Sequence, residues 1–193
     1  MVELRLPGRG CEPITLWGNP VLREQTKPVK VFDASIKKLV DQLFETMYAI
    51  DVGVGLAANQ IGRTEAVFVF DCRDGLIGHV VNPVVERVGL EIQDGEEGCL
   101  SLPGFGAPTV RFLDCRVRGQ NAKGDDIVYE GTGLRARAFQ HETDHLHGKL
   151  YIDRLNVDIR SDIEDEMMAS DWYGRDSLDP KSKLYRRYHD PDE

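Results

Sequence analysis

Residues 134–148 have the sequence LRARAFQHETDHLHG, and they predict the helix around which the rest of the fold is arranged. His141 and His145 are four residues apart, so a helix places both imidazoles on one face, where they can hold one metal ion. Glu142 follows the first histidine and would stand beside the open position of that ion, where it can take a proton from water. Gly148 is typical of a helix end. We therefore expect a metal-binding helix over residues 134–147.

The segments on either side of this helix predict an α+β fold with mostly antiparallel sheets. Apolar residues recur every three or four positions from Asp33 to Ile50, which predicts a first amphipathic helix with Asp33 as its N-cap. Between residues 65 and 130 the runs AVFVF, HVVNPVVERV, TVRFLDCRVR and DIVYE predict strands. The links between them are too short for crossover helices, so the strands should pair antiparallel. Pro83, in the second run, should lie at an edge or a bulge.

The chain should form one catalytic domain over residues 1–170, followed by a charged C-terminal tail over residues 171–193. Residues 1–13 are expected to be a loose leader because several Pro and Gly residues interrupt any periodicity. Apolar residues four apart after Asp158 predict a third helix near the end of the domain. Beyond Trp172 the sequence is mostly polar and charged and includes the basic run KSKLYRRYH. We expect this tail to be flexible.

Composition and charge exclude several classes of function. The 193 residues carry 24 Lys+Arg against 33 Asp+Glu, a formal net charge of −9, which argues against a broad surface that binds nucleic acid or a membrane. No run of 18 apolar residues could span a membrane, and the N-terminal residues do not resemble a signal peptide. The four cysteines form no Cys-x-x-Cys pair. They are expected to be reduced thiols in a cytoplasmic protein.

A catalytic metal site of this kind needs a third protein ligand, and the sequence offers more than one candidate. In a metalloprotease the third ligand would follow the helix, but Tyr151 stands where a histidine is needed. Glu164 or Glu166 could replace it, although both lie in an acidic run that is typical of a solvated helix face. Upstream, Cys99 in the segment EGCLS offers a thiolate, which binds iron or zinc strongly. A buried free cysteine is the simpler interpretation of Cys99.

A third unusual segment, residues 53–62 with the sequence GVGLAANQIG, follows the first amphipathic helix. Its small residues would allow a substrate backbone to lie against the loop. The amide of Gln60 could donate a hydrogen bond to an oxyanion. The alternative is an ordinary connection between a helix and a strand.

The three segments occur together in the order GVGLAANQ, EGCLS and QHETDH, and this combination resembles the peptide deformylase family. Members of the family remove the formyl group from the N-terminal methionine of new polypeptides. The resemblance extends from about Ile14 to about Leu155. It implies a single divalent metal ion on Cys99, His141 and His145, with Fe(II) in cells and zinc, nickel or cobalt as replacements.

The resemblance also implies the roles of the other site residues. Glu142 would act as general base and then general acid, while Gln60 and the backbone N–H of Leu100 would stabilise the oxyanion of the intermediate. The partners would be formyl-methionyl nascent peptides, with a transient ribosome contact through the C-terminal tail, and neither DNA nor a membrane. A non-catalytic metal-binding module is disfavoured because a closed structural site needs a fourth protein ligand, and the sequence offers three convincing ones.

Helical geometry predicts which residues surround the substrate. Leu134 and Ala138 lie on the same helical stripe as His141, so they should line the surface next to the metal. They would face Val54 and Gly55 of the glycine-containing loop, which gives a pocket that is apolar enough for a methionine side chain.

Two charged residues of the same helix need separate interpretations. Arg137 stands at a position where some family members have an apolar residue. The sequence therefore does not determine how deep the pocket is or what charge lies at its rim. Asp144 points about 100° away from His145 around the helix and is a poor metal ligand. The resemblance implies an ion pair between Asp144 and Arg111.

Overall fold

The structure is a computed structural model that describes residues 11–189. In chain order its helices and strands are β1 (Ile14–Thr15), α1 (Ala34–Tyr48), β2 (Gly55–Ala57), β3 (Val67–Asp71), β4 (Ile77–Arg87), β5 (Ile92–Gln93), β6 (Glu96–Gly98), β7 (Gly106–Pro108), β8 (Arg111–Phe112), β9 (Asp114–Gln120), β10 (Asp126–Thr132), α2 (Leu134–Leu146), α3 (Val157–Met168), β11 (Ser177–Leu178) and α4 (Lys183–His189). Short 3₁₀ turns occupy Pro20–Arg23, Ala58–Ile61 and Tyr151–Arg154. This is an α+β fold, as the sequence predicts.

The main sheet has five antiparallel strands in the order β10-β9-β4-β3-β2. Three two-stranded antiparallel sheets pair β1 with β11, β5 with β8 and β6 with β7. Helix α2 packs on the main sheet through Phe139, whose ring centroid lies 4.8 Å from that of Phe70 and 6.2 Å from that of Phe68. The helix that carries the two histidines is therefore held by the sheet, which confirms its central place.

A bulge interrupts the pairing of β4 with β9 between Val81 and Val84. Asn82 has a φ of +53° there, and its side chain accepts from the backbone N–H of Val29 at 2.7 Å and donates to the Val29 carbonyl at 2.9 Å. Pro83 has no N–H to give to a ladder, and the bulge is where that loss is tolerated. The prediction that Pro83 lies at an edge or a bulge is confirmed, and the structure has the bulge.

The predicted helices are confirmed within a few residues of their ends. The Asp33 side chain accepts from the backbone N–H of Ser35 at 2.8 Å and caps α1. Helix α2 ends at Leu146, and Gly148 follows with a φ of +71°. Helix α3 covers the region after Asp158 where the apolar spacing predicts it.

The C-terminal segment differs from the predicted flexible tail. Residues 171–189 fold onto the domain, since Ile14 of β1 pairs with Leu178 of β11 and the side chains of Trp172 and Tyr185 are buried in the main core. These few apolar and aromatic residues are spaced widely among charged ones. The sequence pattern therefore predicts a solvated segment and does not indicate which residues are buried. Residues 1–10 of the predicted leader lie outside the described residues, and Glu12 is held by α1 through a 2.9 Å hydrogen bond from its N–H to Thr46 Oγ1.

Across residues 11–189, none of the helices combines the length and the apolar content needed to cross a bilayer.

Candidate active site

Cys99, His141 and His145 form a compact cluster at the centre of the molecule. Cys99 lies in the turn after β6, and both histidines project from α2. The Cys99 Sγ lies 3.2 Å from His145 Nε2, which in turn lies 3.1 Å from His141 Nε2. Their ligand atoms all lie within 4.8 Å of one another, and all three residues are buried. One thiolate and two imidazoles converging in this way fit a divalent metal ion with a fourth position left for water or substrate.

Glu97, two residues before the cysteine, orients the first of these histidines. Its Oε1 accepts from Nδ1 of His141 at 2.6 Å, which leaves Nε2 as the nitrogen that can bind a metal. Its carboxylate also accepts from Arg111 and from Arg137 Nη1 at 2.8 Å. Burial by itself raises the pKa of Glu97, but the hydrogen bonds from Arg111 and His141 outweigh it and hold the pKa well below its ordinary value. Glu97 therefore stays ionised and fixes the imidazole.

The Arg111 guanidinium connects this network to Asp144. Its Nη1 lies 2.6 Å from Asp144 Oδ2, so the predicted ion pair is confirmed. Asp144 also accepts two hydrogen bonds of 2.6 Å from Arg154. Burial raises the pKa of Asp144, yet the hydrogen bonds from Arg154 and the charge of Arg111 leave it lowered. Two buried carboxylates and the arginines between them thus hold α2 against the segment that carries Cys99.

Glu142 lies next to the ligand cluster and is almost fully buried, with 3% of its surface exposed. Within residues 11–189 its Oε2 has no hydrogen-bond partner. Burial raises its pKa to about 7, against the lowering effect of His141. The carboxylate packs so closely on the backbone of Gly55 that a Cβ there would overlap Glu142 Oε1. A carboxyl with this pKa can both accept and return a proton near neutral pH.

Gln60 is fixed beside the cysteine. Its Oε1 accepts from the backbone N–H of Ala57 at 2.9 Å, so its amide nitrogen points the other way. That nitrogen lies 3.6 Å from Cys99 Sγ and 3.3 Å from Ser101 Oγ. The amide N–H₂ is thus a preorganised donor at the ligand cluster.

A cavity of about 450 Å³ opens onto this cluster. The predicted site residues on its wall are Val54, Gly55, Gln60, Cys99, Leu100, Leu134, Ala138, His141 and Glu142. The structure thus brings all of them together, and His145 completes the cluster behind the wall.

Comparison with known proteins identifies the family. The sequence model of the polypeptide deformylase family matches residues 11–160. The chain belongs to this family. Peptide deformylase 1 of Corynebacterium efficiens is 45% identical over 165 residues, covering 84% of this chain and 97% of the relative. Peptide deformylase of Acidothermus cellulolyticus is 46% identical over 163 residues, covering 84% and 89%.

Solved deformylase structures have the same fold. The crystal structure of peptide deformylase from Thermus thermophilus superposes with a TM-score of 0.76 at 41% identity, covering 82% of this chain and 93% of that one. The enzyme from Legionella pneumophila superposes with a TM-score of 0.77 at 34% identity, covering 82% and 94%. This deformylase is therefore a metal-dependent hydrolase that removes the N-formyl group from the N-terminal methionine of new polypeptides.

The metalloprotease alternative would take its third ligand from α3. In the structure, the residue that joins the two histidines comes from the turn after β6. Glu164 accepts from Arg160 at 2.8 Å on α3. In the described part of the deformylase, the ligand cluster consists of Cys99, His141 and His145, and neither Glu164 nor Glu166 belongs to it.

Sequence reasoning left the role of Arg137 open and missed the contribution of Glu97. Arg137 lines the cavity, but its Nη1 is bound by Glu97 and by the Thr109 carbonyl at 2.7 Å. Its charge is therefore balanced within the wall of the deformylase site. The available signal was a carboxylate two residues before the cysteine that the sequence predicts as a metal ligand, since metal sites use such carboxylates to orient a histidine ligand.

Proposed function

We propose that this deformylase uses Glu142 as its proton carrier and Cys99, His141 and His145 as the ligands of one Fe(II) ion. The observation that supports it best is the convergence of these three ligand atoms beside Glu142 on the cavity wall, a buried carboxylate whose Oε2 has no hydrogen-bond partner among residues 11–189. When bound, the metal supplies Lewis acidity toward the formyl oxygen and toward water. The ligand set also accepts zinc, nickel or cobalt, and the choice of iron rests on the family resemblance.

Glu142 carries the proton through the reaction. With its pKa raised to about 7, it accepts a proton from the attacking water as a new C–O bond forms at the formyl carbon. It then gives that proton to the amine nitrogen as the C–N bond breaks. The products are formate and a peptide with a free N-terminal methionine.

Gln60 and Leu100 stabilise the charge that develops on the formyl oxygen. The Gln60 amide nitrogen is held at the site through its own oxygen, so no reorganisation is needed when the oxyanion forms. The backbone N–H of Leu100 supplies a second donor from the turn that carries Cys99. Val54, Gly55, Leu134 and Ala138 receive the methionine and its backbone, and all four lie on the cavity wall.

Two substitutions test these roles. Glu142→Ala should lower formate release from formyl-Met-Ala-Ser at least about 100-fold, because a general acid–base group contributes that much or more, while the metal content stays unchanged.

Cys99→Ala should abolish metal retention, measured by elemental analysis of protein purified anaerobically.

Glu166→Ala is the matched control because Glu166 lies on α3, outside the ligand cluster. It should keep both the metal and the activity of the unaltered enzyme. Full formate release by Glu142→Ala would refute the role of Glu142 as the proton carrier. Metal retention by Cys99→Ala together with metal loss in Glu164→Ala or Glu166→Ala would restore the metalloprotease alternative.

We also propose a cytoplasmic enzyme that meets formyl-methionyl chains at the ribosome, with a transient contact through the basic part of α4. Lys183 is the first residue of this helix and Lys181 lies just before it, and both are exposed, which supports a contact with ribosomal phosphate groups.

A further inference from the structure

The C-terminal segment contributes to the cavity although the family model ends before it. That model matches residues 11–160, whereas Tyr188 and His189 of α4 line the same cavity as the proposed catalytic residues. The part of the chain that the family model matches therefore does not supply this portion of the cavity wall.

Buried hydrogen bonds attach this segment to the turn that follows Cys99. The Tyr185 hydroxyl donates to the Leu100 carbonyl at 2.8 Å, and Trp172 Nε1 donates to the Pro103 carbonyl at 3.1 Å. The Trp172 ring also meets Phe105 edge-on, with centroids 5.9 Å apart. These contacts fix the position of α4 relative to the reacting end of the cavity.

The ring of Tyr188 is held at the cavity wall from several sides. It lies against Gly104, where an added Cβ would overlap the ring. Its hydroxyl donates to Asp171 Oδ1 at 2.7 Å. Arg187 also pairs with Asp171, and its guanidinium lies 5.6 Å from the Tyr188 ring centroid. The ring is therefore a fixed boundary of the cavity.

We propose that Tyr188 is a specificity-determining residue that limits the size of the side chain following formyl-methionine. This inference rests on the proposed function, which places methionine against Leu134 and Ala138 of α2. Successive side chains of an extended peptide point to opposite faces. The side chain after methionine therefore points out of the pocket between α2 and the Val54–Gly55 loop, and the cavity wall outside that pocket includes Gly104 and Tyr188.

The test compares two formylated peptides on each enzyme variant. The quantity measured is the ratio of kcat/KM for formyl-Met-Trp-Ser to kcat/KM for formyl-Met-Ala-Ser, by formate release. Tyr188→Ala should raise this ratio about tenfold, because removing the ring relieves the exclusion of a large side chain. Tyr188→Phe keeps the ring and should keep the ratio of the unaltered enzyme.

Tyr173→Ala removes an exposed tyrosine of the same segment that does not line the cavity, and it should also leave the ratio unchanged. If Tyr188→Ala does not fold, Tyr188→Leu still covers Gly104 with a shorter side chain and should raise the ratio in the same direction. An unchanged ratio in a folded Tyr188→Ala or Tyr188→Leu enzyme overturns the proposal while deformylation itself stands. Absence of formate release by the unaltered enzyme would instead refute the proposed function and the inference with it.

Discussion

Tyr185 shows how one side chain connects the end of the chain to the reacting centre. Its ring is buried, and its hydroxyl donates to the carbonyl of Leu100, the residue whose N–H we assign to the oxyanion. Burial raises the pKa of this hydroxyl well above its ordinary value. The folded enzyme therefore keeps Tyr185 protonated under conditions in which the unfolded chain ionises it.

The difference between the pKa of Tyr185 in the folded enzyme and in the unfolded chain predicts that the enzyme loses stability at alkaline pH. An unfolded tyrosine ionises near pH 10, so a folded-state pKa above that value gives stability that is complete below about pH 10 and is lost as the pH rises further. Tyr185→Phe should be less stable than the unaltered enzyme by about 1 kcal/mol at pH 8, since it loses one hydrogen bond, and should lose less stability above pH 10. Urea unfolding from pH 8 to pH 11 measures both effects. Equal losses of stability above pH 10 in the unaltered enzyme and in Tyr185→Phe would contradict this account. Tyr173→Phe, at an exposed tyrosine, serves as the control.

Among the secondary-structure elements, β11 and α4 behave as parts of the main core. Trp172, at the start of this segment, has no exposed surface. Trp172→Ala should therefore lower the free energy of unfolding by about 3–5 kcal/mol, the usual cost of truncating a large buried side chain, as measured by urea denaturation. Tyr173→Ala, at an exposed neighbour, should cost less than about 1 kcal/mol. A small loss for both variants would mean that the segment is dispensable for folding.

The two ends of the chain mark the limit of prediction from sequence. Helices α1 and α2 could be predicted because their apolar spacing, cap residues and histidine pair are local signals. The chemistry of proline predicts that Pro83 lies at an edge or a bulge, and the pairing with β9 decides for the bulge. The pairing of β1 with β11 joins two-residue strands across most of the chain, and no local pattern records such a contact. The contacts of Glu97 could not be predicted from a local pattern either, because its three partners come from β8 and α2.

For the whole molecule, the net charge of −9 opposes binding to RNA, so any ribosome contact must be local. Lys181→Glu/Lys183→Glu should reduce co-sedimentation with ribosomes at low salt, because it removes positive charge at and just before the start of α4. Lys30→Glu/Lys38→Glu changes the net charge equally at exposed positions elsewhere and should have less effect. Equal sedimentation of the two double variants would refute a contact through α4. Charge reversal is preferable to deleting residues 175–193, since deletion also removes the buried Leu178 and Tyr185.

The β1–β11 pair also sets the order in which a newly made chain becomes complete. Ile14 and Thr15 leave the ribosome long before their partners, Leu178 and Ser177, have been made. The N-terminal strand must wait for the C-terminal segment to return to it, and the cavity wall that carries Tyr188 forms only then. An enzyme that acts on nascent chains thus acquires its own complete substrate cavity only after the segment that carries Tyr188 has itself been synthesised.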